Sequence, residues 1–407
     1  MSLEEVYLDL HAHPELSFAE VRTAGIAARW LREHGYDVIG GVGGTGVVGI
    51  LARSHGPVVL LRADMDALPV QEATGLAYAS SARGVDPDGH DVPVMHACGH
   101  DMHVTCLLGA AAELSADPDW SGTLVVLFQP AEELVQGAEA MVADGLFDTV
   151  PRPDVVLGQH VAPLPAGTLG LRTGPAFAAT DSLRVTMTGA GGHGSRPEAT
   201  VDPVVMAAAT VRRLQGVVSR EVAGTDTAVV TVGALRAGSK SNIIPDHAEL
   251  LLNVRSYEPR VRATVLAAIT RIVEAEAAAS GTLVAPRIET IESAPAVVND
   301  PQAVARTWPA LETVVGEGHV VDPGPVTGSE DVGVLATAGQ APCVFWLLGG
   351  ADPLAFAGAH DLEGIRAAMA ALPSNHSPAY APVIHPTIHI GVSSLVAAAR
   401  AWLGHTV

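Results

Sequence analysis

The sequence predicts an α/β protein in which a larger, discontinuous α/β domain is interrupted by a smaller α+β domain of ferredoxin-like type. Three observations lead there. The first 175 or so residues alternate short β-branched runs with helix-like periodic segments. From about residue 180 the pattern becomes strand, helix, strand, strand, helix, strand, as in a split βαβ unit. From about residue 297 the α/β texture resumes. The boundaries read as 1–180 and 295–407 for the larger domain and 181–294 for the insertion, within the two or three domains that 407 residues suggest.

In the first part, Val58 to Leu61, Leu124 to Phe128 and Val155 to Leu157 are strand-like, and Glu20 to Glu33 and His103 to Leu114 are helix-like. Gly35 is placed to end the first of these helices. In the insertion, Ser182 to Thr188 alternates like a half-buried strand and leads into the glycine-rich loop Gly189 to Gly194. A helix near Val201 to Val218 follows, then strands Ala228 to Leu235 and His247 to Val254, a helix from Pro259 to Ala279, and Leu283 to Ile291 as the closing strand. In the last part, Cys343 to Leu348 reads as a buried strand and Ile388 to Leu403 as a helix.

Charge excludes one class of partner. The chain has 23 Lys plus Arg against 44 Asp plus Glu, a net charge of −21, whereas nucleic acid binding needs clustered basic groups. No apolar run reaches the eighteen or so residues of a spanning helix, and Met1 to Glu5 lacks the basic-then-apolar order of a signal peptide. A soluble, cytoplasmic protein is expected. The three cysteines, Cys98, Cys106 and Cys343, are too few and odd in number for a disulfide framework, which makes one lying near histidines a candidate metal ligand.

Such a cysteine lies in Met95-His-Ala-Cys-Gly-His-Asp-Met-His103. If this stretch is extended, Cys98 and His100 face one side and reach one metal cluster; the alternative is a buried cysteine beside hydrogen-bonded histidines. Leu127-Phe-Gln-Pro-Ala-Glu-Glu133 ends an apolar run in two adjacent carboxylates. Metal hydrolases need one acid to hold the ion and another to take a proton from water, and Glu132 and Glu133 can divide those tasks; the alternative is a solvated acidic loop. His160 follows another apolar run and His376 sits in a late loop, each alone more commonly a hydrogen-bonded histidine than a ligand. Asp64 and Asp66 follow the run ending at Leu61. They would share a face if the strand continues, and support a metal from behind its ligands or cap a turn before Pro69.

Taken together, His11-Ala-His-Pro-Glu-Leu-Ser17, Arg62-Ala-Asp-Met-Asp-Ala-Leu-Pro69, Met95 to His103, Phe128 to Glu133, Gly189 to Pro197, Ser241-Asn-Ile-Ile-Pro245, Gly328-Ser-Glu-Asp331 and Asn375-His-Ser-Pro378 resemble, in order and over nearly the whole chain, the metal-dependent amidohydrolases of the peptidase M20 type. The branch resembled is that of the hippurate and indoleacetyl-amino-acid hydrolases. The resemblance implies a zinc-peptidase-like catalytic domain with an inserted lid and dimerisation domain. It implies that Cys98, His100, Glu133, His160 and His376 hold two divalent ions, that Glu132 is the general base, and that Asp66 and, with less support, Asp64 lie behind the ligands. It also implies that His193 polarises the scissile carbonyl across a homodimer and that Asn242 and Arg255 bind the substrate's free carboxylate. The expected reaction is hydrolysis of an N-acetyl, N-benzoyl or indoleacetyl amino acid. The donor set suits Zn²⁺ and accepts Mn²⁺, Co²⁺ or Ni²⁺. The competing readings are an inactive metal- or ligand-binding protein of the same fold, and thiol catalysis by Cys98. Segment 351–373, long for the loop before the last histidine motif, is expected to help wall the substrate.

Overall fold

The computed structural model describes residues 1–359 and 362–404, so that within segment 351–373 His360 and Asp361 lie outside the described residues. The chain forms two compact units, one of residues 1–176, 298–325 and 331–407 and one of residues 177–297 and 326–330. No described helix is long and apolar enough to cross a membrane.

The larger unit is built on a mixed sheet. Its main path runs Asp37–Val42, Gly46–Ala52, Thr123–Gln129, Val58–Asp64, Val155–Pro165, Cys343–Ala351, Val297–Asn299 and Gly174–Phe177. The strands from Thr123–Gln129 through Val297–Asn299 pair in parallel, and Asp37–Val42 with Gly46–Ala52 add an antiparallel edge. Strands at the centre of a parallel sheet are covered on both faces. That explains why Val59, Leu60 and Leu61, and Leu124 through Phe128, are all fully buried without alternation.

The helix His100–Ala116 packs against Leu3–Ala12 and Thr387–Trp402 and buries nearly its whole length. Its alanine and leucine content suits an all-round apolar environment. The Trp30 indole donates to the Leu108 carbonyl at 2.9 Å, tying Val21–Glu33 to it. Gly35, at φ +81°, follows that second helix and its N–H bonds the Arg32 carbonyl at 3.1 Å, as expected of a terminating glycine.

The smaller unit carries an antiparallel sheet in the order Ala228–Ala237, His247–Ser256, Ala179–Thr188, Arg287–Ala294, with helices Pro203–Glu221 and Pro259–Ala279. Asp202 caps the first of these helices through the Val204 N–H, and proline opens both. Val185, Met187, Leu250, Leu252 and Val254 pack with Leu214, Val265 and Ile269 in its core. The closing strand starts at Arg287, not Leu283. Pro286 has no N–H for a ladder and biases the residue before it, so pairing begins beyond it and Leu283 is left exposed. Val326 also belongs to this unit, accepting from the Ala178 N–H and the Tyr257 hydroxyl.

Candidate metal centre and carboxylate-binding residues

In the larger unit, two parallel strands, one helix start and a late loop carry the candidate ligands, and a third strand carries Asp64 behind them. Val58–Asp64 ends at Asp64, so Asp66 lies beyond the strand and not on its continuation; both carboxylates are nonetheless buried. His160 lies within Val155–Pro165, which runs on past it, so the expected strand exit is not there. Its neighbour Val58–Asp64 makes its last pairing with that strand at Arg62 and Gly158, two residues before the histidine. The ring therefore emerges where the adjacent strand has parted.

Cys98 and His100 are not on an extended segment. Gly99 takes φ +82° just before the helix and His100 is its first residue. A Cβ at Gly99 would meet Val161 Cγ1 at 2.5 Å, so this turn needs glycine for both conformation and space. The turn still brings the donors together. Ligand atoms of Cys98, His100 and His160 lie within 4.8 Å of one another, as do those of Cys98, Glu133 and His376, and those of His100, Glu132 and Glu133. The first two sets overlap at the Cys98 sulfur, which is 3.4 Å from His160 Nε2. His376 Nε2 is 3.3 Å from Glu133 Oε2. All five sequence-predicted ligands and Glu132 thus meet in one cluster.

The carboxylate of Asp66 organises this cluster from below. It accepts the N–H groups of Glu132 and Glu133 at 3.1 and 3.0 Å and the Ser17 hydroxyl at 2.6 Å, and its Oδ1 is 3.3 Å from His100 Nδ1. Burial opposes its charge, but His100, Ser17 and the Glu133 N–H outweigh that and hold it below the usual carboxylate range. Asp64 accepts from Arg62 at 2.7 Å and from His103 Nδ1 at 2.5 Å. Burial again opposes the charge and is outweighed, chiefly by Arg62, His100 and His103, so Asp64 stays ionised. Arg62, fully buried, also bonds Gln129 and Asp331.

His103 and Asn375 were not singled out by spacing, although both sit inside quoted motifs. His103 donates to Asp64 and so accepts the Val161 N–H at its Nε2, 2.7 Å away, which fixes its tautomer and the backbone next to His160. Asn375 donates to the carbonyls of Cys98 and Val161 at 3.1 and 3.2 Å, and the His376 N–H bonds the Ala97 carbonyl at 2.8 Å. Adjacency to His376 was the signal available for Asn375.

The cluster fits divalent cations. With His100 Nδ1 facing Asp66, His100 Nε2 and Glu133 Oε1 are left buried without a hydrogen-bond partner, which is costly unless an ion meets them. Burial and the Glu133 charge push the Cys98 thiol up, and a cation is what would hold its thiolate. Sulfur, imidazole and carboxylate donors together suit zinc and its neighbours.

In the smaller unit, the short ladder pairing Gly192 with Ile244 and His193 with Ile243 brings His193 beside Asn242, whose carbonyl accepts the Gly194 N–H at 2.9 Å. Both residues are exposed. His193 Nδ1 accepts the Ser195 N–H at 3.1 Å, so a neutral ring carries its proton on Nε2. Arg255, near the end of His247–Ser256, donates from Nε to Asn253 Oδ1 at 2.9 Å, and burial lowers its pKa.

Comparison with known proteins agrees with this geometry. Residues 60–372 match Peptidase family M20/M25/M40. The chain is 39% identical to the hippurate hydrolase of Campylobacter jejuni over 333 residues, 81% of this chain and 84% of that one. It is 40% identical to an N-acyl-L-amino acid amidohydrolase of Geobacillus stearothermophilus over 276 residues, 67% and 71% of the two chains. A Bacillus subtilis crystal structure described as a dinuclear metal-binding peptidase of the M20 family superposes with a TM-score of 0.74 at 28% identity, covering 98% of this chain and 97% of that one. The overlapping donor triads, the adjacent glutamates and these likenesses converge: the chain belongs to the peptidase family M20/M25/M40.

Proposed function

We propose that the protein is a metal-dependent amidohydrolase that cleaves N-acyl amino acids to a carboxylic acid and a free amino acid. The observation that carries this reading is the pair of donor triads sharing Cys98, with Glu132 beside the ligand Glu133. Cys98, His100, Glu133, His160 and His376 would hold two divalent ions, which supply Lewis acidity and lower the pKa of water when bound. Zinc, manganese, cobalt and nickel all suit the donors.

Glu132 is 6% exposed and takes a proton from the attacking water, then delivers it to the leaving nitrogen as the C–N bond breaks. Asp66 fixes the backbone that aims it. His193, with its proton held on Nε2 by the Ser195 contact, donates to the developing oxyanion, and Asn242 and Arg255 hold the free carboxylate. The names of relatives, hippurate hydrolase and N-acetylcysteine deacetylase, support N-acyl amino acids as the substrate class. By the same resemblance the protein is a homodimer through the smaller unit. A monomer in sedimentation would remove the basis for His193 acting across subunits. Three cysteines, too few and odd in number for a disulfide framework, support a cytoplasmic setting.

The reading is tested by screening N-acetyl, N-benzoyl and indoleacetyl amino acids with each metal and scoring amine release. Activity lost to a chelator and restored by a divalent ion supports it. Chelator-resistant activity abolished by thiol alkylation would favour catalysis by Cys98 instead.

A further inference from the structure

The sheet of the smaller unit carries a polar row across three adjacent strands. Arg255 and Asn253 alternate on His247–Ser256 with the buried Val254, so both leave the core on the same side of the sheet. In the neighbouring strand Thr180 stands opposite Arg255 and Ser182 opposite Asn253, and Glu292 of the next strand stands opposite Ser182. Their hydrogen bonds run one way. Arg255 Nε donates to Asn253 Oδ1 at 2.9 Å, Asn253 Nδ2 donates to Ser182 Oγ at 3.1 Å and Thr180 Oγ1 at 3.2 Å, and Ser182 Oγ donates to Glu292 Oε2 at 2.7 Å.

This direction is forced. A guanidinium only donates, so the Asn253 oxygen must face it and the amide NH₂ must face the hydroxyls; an ionised Glu292 only accepts, so the Ser182 proton points to it. Asn253 is thereby fixed in one orientation, and it occupies Nε, the side-on edge of the Arg255 fork. The end-on edge is left over. Arg255 Nη1 is buried without a partner, and among the described residues Arg255 makes no ion pair and no hydrogen bond other than that to Asn253. Burial opposes the charge of this half-buried guanidinium and the Glu292 carboxylate offsets that only in part, so an anion at the end-on edge would be stabilising. A planar carboxylate matches the two parallel N–H groups of that end-on edge.

We infer that Asn253 is a positioning residue for substrate specificity: backed by Ser182, Thr180 and Glu292, it turns the end-on edge of Arg255 toward the α-carboxylate of the substrate. This rests on the assignment of Arg255 to carboxylate binding in the proposed function. The row selects N-acyl amino acids with a free carboxylate over the corresponding amides.

The test compares the metal-loaded wild type with Asn253→Ala, Asn253→Asp and Arg255→Ala on an N-acyl amino acid and on its α-carboxamide. Asn253→Ala is expected to raise KM for the free acid about tenfold, the loss typical of a hydrogen bond to a charged group, with kcat changed less than threefold and the amide unaffected. Asn253→Asp keeps an acceptor but neutralises the guanidinium, and should also weaken the acid selectively. A general loss of packing would move both substrates alike and overturns the inference. If Arg255→Ala raises KM for the acid while both Asn253 variants match wild type, the positioning role fails and the Arg255 assignment stands. If Arg255→Ala leaves acid and amide unchanged, the assignment itself fails and the inference with it.

Discussion

Asp66 Oδ1 lies 3.3 Å from His100 Nδ1, and the same carboxylate receives the N–H groups of Glu132 and Glu133. One buried acid therefore orients the imidazole of a candidate metal ligand and sets the backbone of both the proposed base and the candidate ligand beside it. Carboxylates behind histidine ligands raise ligand basicity and fix ring orientation. Asp66→Ala should lower metal affinity about 10- to 100-fold, measured by calorimetric titration of metal-free protein. Unchanged affinity would remove Asp66 from that role.

Glu132 and Glu133 are adjacent, yet they have different tasks in the proposed mechanism. Glu132→Ala should keep its metal, measured by elemental analysis of the purified protein, while kcat falls by at least about a hundredfold. Near-wild-type turnover would show that another group takes the proton.

Gly99 joins Cys98 to the helix at φ +82°, with no room for a Cβ beside Val161. Gly99→Ala should cost about 2 kcal/mol or more in stability, from left-handed strain and overpacking, and should reduce metal content by displacing the cysteine. Denaturant unfolding and metal analysis of the same preparation check both. A variant as stable and as metal-rich as wild type would show that the turn tolerates a side chain.

His11 is fully buried, 2.6 Å from Asp101 and 3.2 Å from Glu72. Burial opposes its charge, but the two carboxylates outweigh it and raise its pKa from 6.5 to about 10. A raised histidine pKa means the folded state binds the proton more tightly. The contribution is complete below about pH 6.5 and is lost as pH rises through about 10. In thermal melts, the stability gap between wild type and His11→Gln should shrink across that window. Parallel curves would show that His11 is not charged in the folded protein.

Part of the cluster is legible in the sequence: Glu132, Glu133 and His160 follow apolar runs that form strands, and Cys98 and His100 stand two residues apart, whereas His376, in a loop, joins them only through the family resemblance. What the spacing could not show is local backbone. Cys98 and His100 converge through a left-handed glycine turn instead of an extended segment, and His160 emerges inside a strand because its neighbour parts from it. Supporting residues were harder still. His103, Asn375 and Asn253 act through hydrogen bonds to groups 39 to 277 residues away, which only the folded chain brings near. The closing strand of the smaller unit starts four residues beyond Leu283 because Pro286, which has no N–H for the ladder, follows the apolar Leu283 and Val284 and delays pairing to Arg287.

The central claim is that one sulfur stands between two cation sites. Anomalous-scattering maps of crystals grown with a divalent metal test it most directly. Two peaks per subunit are expected to flank Cys98, one toward His100 and His160 and the other toward Glu133 and His376. A single peak remote from Cys98, or peaks unaffected by Cys98→Ala, would contradict it.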